Sequence, residues 1–239
     1  MDNAGYVAMT RSSGLFKQLS VIANNLANIS TSGYRREGAS FAEHVKSTGF
    51  ETPSVSMTNM NRRFIDFSQG DIQKTDNALD VAINGPGFFL VETNNGERLT
   101  RAGAFTLNPD GELTTAEGYR VLDEGGGAIA LPPGASSIII TEDGTISADG
   151  QAISRLGVVD ANQEALTRQG DNLFSSENGY EQLEAPRVLQ GAVEGSNVNP
   201  IEEIALLIEV QRAYEAGQNL SKAEDERIRQ TVRQLGRDG

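Results

Sequence analysis

Ala8, Ser12, Leu15, Leu19, Ile22, Leu26 and Ile29 fall at alternating steps of four and three near the start of the chain. Steps that average half a heptad place small and apolar residues in one narrow seam along a helix. That is the pattern of a helix with a partner helix rather than of one sunk in a core. The spacing predicts a helix over about Ala4 to Asn28, on the order of 40 Å long at 1.5 Å per residue. Gly5 and Gly14 lie inside it, each costing ~1 kcal/mol relative to Ala. Such a helix is marginal alone in water, so the seam needs something to pack against.

A second helix is predicted at the other end. Asn199 suits an N-cap, Pro200 the first helical position, and Glu202 the third, a capping-box arrangement with carboxylates in the first turn. Ile201, Ile204, Leu207, Ile208 and Tyr214 follow as an apolar stripe. Gly217 and the polar Glu224-Asp225-Glu226 interrupt it, Ile228, Val232 and Leu235 resume it, and Gly236 supplies a stop. The two end helices read as a pair within the chain, as partners for neighbouring chains, or as both.

The first helix runs into Ala23-Asn24-Asn25-Leu26-Ala27-Asn28-Ile29-Ser30-Thr31-Ser32-Gly33-Tyr34-Arg35-Arg36-Glu37. Asparagine is a poor helix former, so three within one turn and a half need a reason. One reading is a fraying end, with Ser30 to Gly33 as the stop signal. The other is that the amides bond to neighbouring subunits along a packed face.

Between the ends the periodicity changes. From Tyr34 to Thr75 it is weak. Phe41, Val45 and Phe50 suit a short helix or hairpin, Thr52 to Asn61 reads as extended or loop, and Arg62 to Phe67 as a strand. From Asn77 to about Leu189 short apolar runs alternate with Asn-Gly-Pro-Gly, Asn-Asn-Gly, Asp-Gly and similar turns. Glycine supplies the positive φ such turns require. This predicts an all-β sandwich or open barrel. The predicted fold class is mixed α and β: end helices pairing as a coiled coil around an all-β middle. The divisions expected are 1–33 for the first helix, 34–76 for a connector, 77–190 for the β body and 191–239 for the last connector and helix.

Chemistry is sparsely encoded. The chain has no Cys and one His, His44, so neither a thiolate site nor a common His-based metal or nucleophile site can be assembled. Asn108-Pro109-Asp110-Gly111-Glu112 and Thr141-Glu142-Asp143-Gly144 lack the ligand spacing of a calcium loop, and Gly125-Gly126-Gly127 lacks the Lys-Ser/Thr of a phosphate loop. The formal net charge is −13, of which −12 lies in residues 51–189, with nine Lys or Arg against twenty-one Asp or Glu. That field disfavours nucleic acid and anionic membranes and favours solubility. No segment has the apolar length of a membrane span, and no basic start leads into an apolar run as in a Sec-type signal peptide.

Residues 23 to 36 resemble the N-terminal motif of the bacterial flagellar rod and hook proteins. The resemblance continues in Ala78-Leu79-Asp80-Val81-Ala82-Ile83-Asn84-Gly85-Pro86-Gly87-Phe88-Phe89. It returns in Glu194-Gly195-Ser196-Asn197-Val198-Asn199-Pro200 and in Glu209-Val210-Gln211-Arg212-Ala213-Tyr214-Glu215. These blocks keep the family's order and bracket the chain. The length and the start at Met1-Asp2-Asn3 resemble the family's proximal rod members, with distal rod members as the alternative. The resemblance implies a structural subunit of the rod, the shaft that crosses the periplasm, exported through the flagellar type III apparatus without a cleavable signal. Partners would be other rod subunits and itself, with no nucleic acid, small-molecule substrate, cofactor or membrane insertion. The residues expected to pack between subunits are Leu15, Leu19, Ile22, Asn24, Asn25, Leu26, Asn28 and Ile29, and at the other end Ile204, Leu207, Ile208, Gln211 and Tyr214.

Two other classes fit less well. A secreted carboxylate-pair glycosidase would use the abundant Asp and Glu, but many of these sit beside turn glycines. A β-domain binding module on a helical stalk suits the strands, yet needs an anchor that the sequence does not display.

Overall fold

A computed structural model describes residues 2–46, 55–135 and 137–235. Phe50, Thr52, Pro53 and the stop at Gly236 lie outside them, as do the side chains of Ala8, Phe41, Val45, Val232 and Leu235. The chain divides into two units: residues up to Ala27 with 36–66 and those from Asn199 on, and Asn28–Arg35 with Phe67–Val198.

The first unit holds α1 (Asp2–Ala27), the strands β1 (Glu37–Lys46) and β2 (Val55–Ile65), and α2 (Pro200–Leu235). The cap of α2 is the one expected. The Asn199 side-chain oxygen accepts from the N–H of Ile201 at 3.1 Å, and the Asn199 amide donates to Glu202 Oε1 at 3.0 Å. The α1 and α2 helices pack on each other. Asn25 meets Glu203, while the Gly217 backbone lies beside Ser12, whose hydroxyl would sit 3.4 Å from an added Cβ. Moving back along α1 therefore means moving forward along α2, and the pair is antiparallel. Both intervals span about 20 Å of helix, so the register holds between them. Gly14 is buried in α1, so this glycine fits the packed side of the helix.

The weakly periodic stretch after α1 forms a long antiparallel hairpin. Glu37 pairs with Ile65 and Lys46 with Val55, with a register shift between Ser40 and Phe41. That shift breaks the alternation that marks a strand in sequence. Gly38 lies opposite Phe64, and a Cβ on it would fall 2.1 Å from the Phe64 ring, which covers the glycine instead.

The second unit is mostly β, as the turn spacing predicted. It begins with β3 (Ile72–Lys74), β4 (Val81–Ile83), β5 (Phe88–Thr93) and β6 (Gly96–Thr100). Its largest sheet runs through 166–170, 173–176, β6, β5, 120–121, 113–114 and 106–107, with 158–160 also paired to β5. All of these pairings are antiparallel. A separate three-stranded meander uses 138–140, 145–148 and 151–155, and its second turn has Asp149 at φ 48 and Gly150 at φ 83. Two successive positive values make the tight turn whose twist suits a hairpin. Two returning strands, 188–190 on β4 and 192–194 on β3, tie the end of the body to its beginning. Phe89, Val91, Val121 and Ile146 are central to the core.

Candidate assembly surface

The candidate surface is the helix pair of the first unit, and each unit by itself also holds a buried ionic cluster that the sequence did not disclose. In the helical unit Asn25 is buried, and its amide is fully engaged inside the chain. Its oxygen accepts the Glu37 N–H at 2.9 Å, and its nitrogen donates to the Glu37 carbonyl at 2.8 Å and to Glu203 Oε2 at 3.3 Å. The side chain behaves as one more residue of a β ladder at the first residue of β1. That supplies a physical reason for one asparagine in the helix. Glu203 is fully buried in the first turn of α2, where a carboxylate suits the helix dipole. Its other oxygen accepts from Arg36 Nε at 2.5 Å.

In the body, Glu194 is 0% exposed and is held by two arginines, Arg35 Nη2 at 2.7 Å and Arg101 Nη1 at 3.2 Å. The N–H of Gly70 donates to the same carboxylate at 2.8 Å, and Arg101 also reaches the Gly85 carbonyl at 2.7 Å while lying over the Phe88 ring. Burial lowers the Arg101 pKa, and the Glu194 charge opposes that shift. The Glu194 carbonyl accepts from the Gly33 N–H at 2.8 Å and from the Ser32 hydroxyl at 3.1 Å. Gly33 has φ +67 and lies so close to the Arg101–Ala102 backbone that a Cβ would sit 2.3 Å from the Ala102 nitrogen. Tyr34 is buried beneath the Arg168 guanidinium, 4.6 Å from the ring centre.

The residues singled out from sequence divide by burial. Ile22 and Asn25 are buried, Leu15, Leu19 and Leu26 half-buried, and Asn24 exposed. Asn28 and Ile29 are half-buried and count with the body unit rather than with the helices. Leu207 and Tyr214 are half-buried on α2, whereas Ile204, Ile208 and Gln211 are exposed. The stripe Ile201, Ile204, Leu207, Ile208 and Tyr214 thus divides: Leu207 and Tyr214 are half-buried and lie toward the inward line of Glu203, Val210 and Gly217, while Ile201, Ile204 and Ile208 face outward. Arg35, Arg36, Arg101, Glu194 and Glu203 are charged residues for which the sequence reading named no partner. The only hint was that Arg35, Arg36 and Glu194 fall inside the quoted motif blocks; Arg101 and Glu203 lie outside them. No helix among the described residues is long and apolar enough to cross a membrane.

Three family models match in chain order. Residues 6–35 match "Flagella basal body rod protein", 82–148 match the "Flagellar hook protein FlgE/F/G D1 domain", and 189–234 match "Flagellar basal body rod FlgEFG protein C-terminal". The chain is 37% identical to the flagellar basal-body rod protein FlgF of Caulobacter vibrioides over 99% of both chains. The chain belongs to the flagellar basal-body rod protein family. The FlgF of Rhizobium meliloti is 34% identical, again over 99% of both chains. The FlgG of Agrobacterium fabrum is 35% identical over 87% of this chain and 90% of its own. The first rod model ends on Arg35, and the last begins just before Glu194. The Arg35–Glu194 bond therefore joins the two rod-family segments of this chain.

Proposed function

We propose that this chain is a structural subunit of the flagellar basal-body rod, in its proximal part, and that it works by packing rather than by catalysis. The observation that carries the reading is full-length similarity to FlgF chains, with no large piece inserted or missing. The structure adds a physical rationale. A paired set of helices with an exposed apolar seam is poorly satisfied alone and gains burial on assembly. In the rod the terminal helices form a coiled coil with each other and with neighbouring subunits. Leu15, Leu19, Ile22, Asn24, Asn25, Leu26, Asn28, Ile29, Ile204, Leu207, Ile208, Gln211 and Tyr214 serve that packing. Residues 1–33 and 191–239 supply the axial core, 34–76 the connector and 77–190 the body. The subunit stands in the periplasmic shaft and reaches it through the flagellar type III export apparatus. Its partners are other rod subunits.

Electron cryotomography of basal bodies from a clean deletion strain, with complementation, tests this. A rod missing or truncated near the inner membrane, with no hook, is the expected result. A block farther out moves the protein to the distal rod, and complete rotating flagella overturn the rod reading.

A further inference from the structure

The outward faces of the two helices carry seams of opposite shape. On α2, Ile201, Ile204 and Ile208 are 78%, 46% and 47% exposed. With Gln211 and Glu215 they keep steps of three and four, about two fifths of a turn from the inward face of Glu203, Val210 and Gly217. On α1, Ser13, Phe16, Ser20, Ala23 and Ala27 keep the same alternating steps on the side opposite Gly14, Val21 and Asn25. All five are exposed, and four of them are small. A row of bulky knobs and a row of shallow holes at one spacing is the shape match that interlocks helices.

Charge points the same way. Arg11 and Lys17 against Asp2 give α1 a net +1. Glu203 is buried and paired with Arg36, and the remaining Glu202, Glu209 and Glu215 against Arg212 leave residues 200–215 a net −2. Two copies of the α2 seam would repel along their flanks, whereas α2 against α1 attracts. The two outward seams of one chain cannot meet each other, because the inward faces of the same helices already do.

We propose that the outward seam of α2, Ile201, Ile204 and Ile208, docks on the outward seam of α1, Phe16 through Ala27, of a second copy of this chain. The contact joins two different faces, so it repeats into an open array rather than closing a dimer. The inference rests on the rod-subunit reading and names which faces join neighbours.

The chain has no cysteine, so each introduced thiol is unique. Full-length Ala23→Cys and Ile204→Cys proteins are mixed and mildly oxidised, with Glu117→Cys in the body as background. The mixed Ala23→Cys/Ile204→Cys disulfide is expected to form severalfold above its statistical share and above any product with Glu117→Cys. Predominance of the Ile204→Cys homodimer, or yields at background, overturns the proposal. In basal bodies, Ile204→Cys should cross-link to a second copy carrying Ala23→Cys, as identified by mass spectrometry. Cross-linking to another rod chain alone overturns the choice of partner. Ile204→Asp should be lost from rods while the purified protein keeps its circular dichroism. If the deletion blocks the rod but Ile204→Asp supports it fully, the seam assignment fails and the rod reading stands. If the deletion leaves a complete rod, the rod reading fails first.

Discussion

Asn25 pairs with Glu37 as one strand residue pairs with another, accepting its N–H at 2.9 Å and donating to its carbonyl at 2.8 Å. Asn25→Ala leaves both backbone groups buried without these partners, at about 1–3 kcal/mol for each unmatched group. The expected result is a loss of about 2–4 kcal/mol by urea denaturation, with faster hydrogen exchange at the Glu37 amide. Asn25→Asp should cost more at neutral pH, because it places a carboxylate beside Glu203 and removes the donor.

Glu194 is bonded to both Arg35 and Arg101. Glu194→Gln leaves two buried guanidinium groups without their counter-charge and should destabilise the body by about 3–5 kcal/mol. Replacing Glu194, Arg35 and Arg101 together by Met should recover much of that loss, since no charge is then buried unpaired. Equilibrium unfolding of both variants checks the order.

Gly33 and Gly134 share positive φ, +67 and +82, but differ in surroundings. Gly134→Ala has open space and should cost only the backbone strain, about 1–2 kcal/mol. Gly33→Ala meets backbone at 2.3 Å on top of the strain and should cost more by at least ~1–3 kcal/mol, seen as a lower Tm than for Gly134→Ala.

Ile22 is 1% exposed in the helical unit. Ile22→Asp buries a charge there and should abolish incorporation into rods, while β-sheet circular dichroism and amide dispersion of the body persist. Melting of the body together with the helices would count against that separation.

Asp143 sits in the turn before 145–148, where the hydroxyls of Thr141 and Thr145 and then the Thr145 N–H hold its pKa down to about 2. The folded value lies below the unfolded one of about 3.9, so the stabilisation is present above pH ~4 and lost as pH falls through about 2. Carboxyl carbon NMR should find that midpoint, and Thr141→Val with Thr145→Val should move it back toward ~4.

The α2 cap and the mostly β body could be read from the sequence because each depends on near neighbours. Asn199 caps residues two and three places on, and Asp149-Gly150 turns on its own φ values. The β1–β2 hairpin was obscured by the shift at Ser40/Phe41 and by Gly38, whose covering comes from Phe64 across the ladder. The ionic clusters were beyond sequence reading because their partners lie far apart in the chain, 159 residues for Arg35 and Glu194 and 167 for Arg36 and Glu203. Periodicity found the helices but could not divide α2 into inward and outward faces. That division depends on where α1 lies.

The Asn25–Glu203 bond spans 178 residues, which gives the helical unit a long wait. A chain emerging N-terminus first from a ribosome holds α1 without its partner until nearly the whole chain has appeared. The body can close earlier, since only Asn28–Arg35 and Phe67–Val198 belong to it. Contacts of such high sequence separation form slowly and last. The helical unit is therefore the final piece of the molecule to mature, and an unfinished chain holds no completed helix pair.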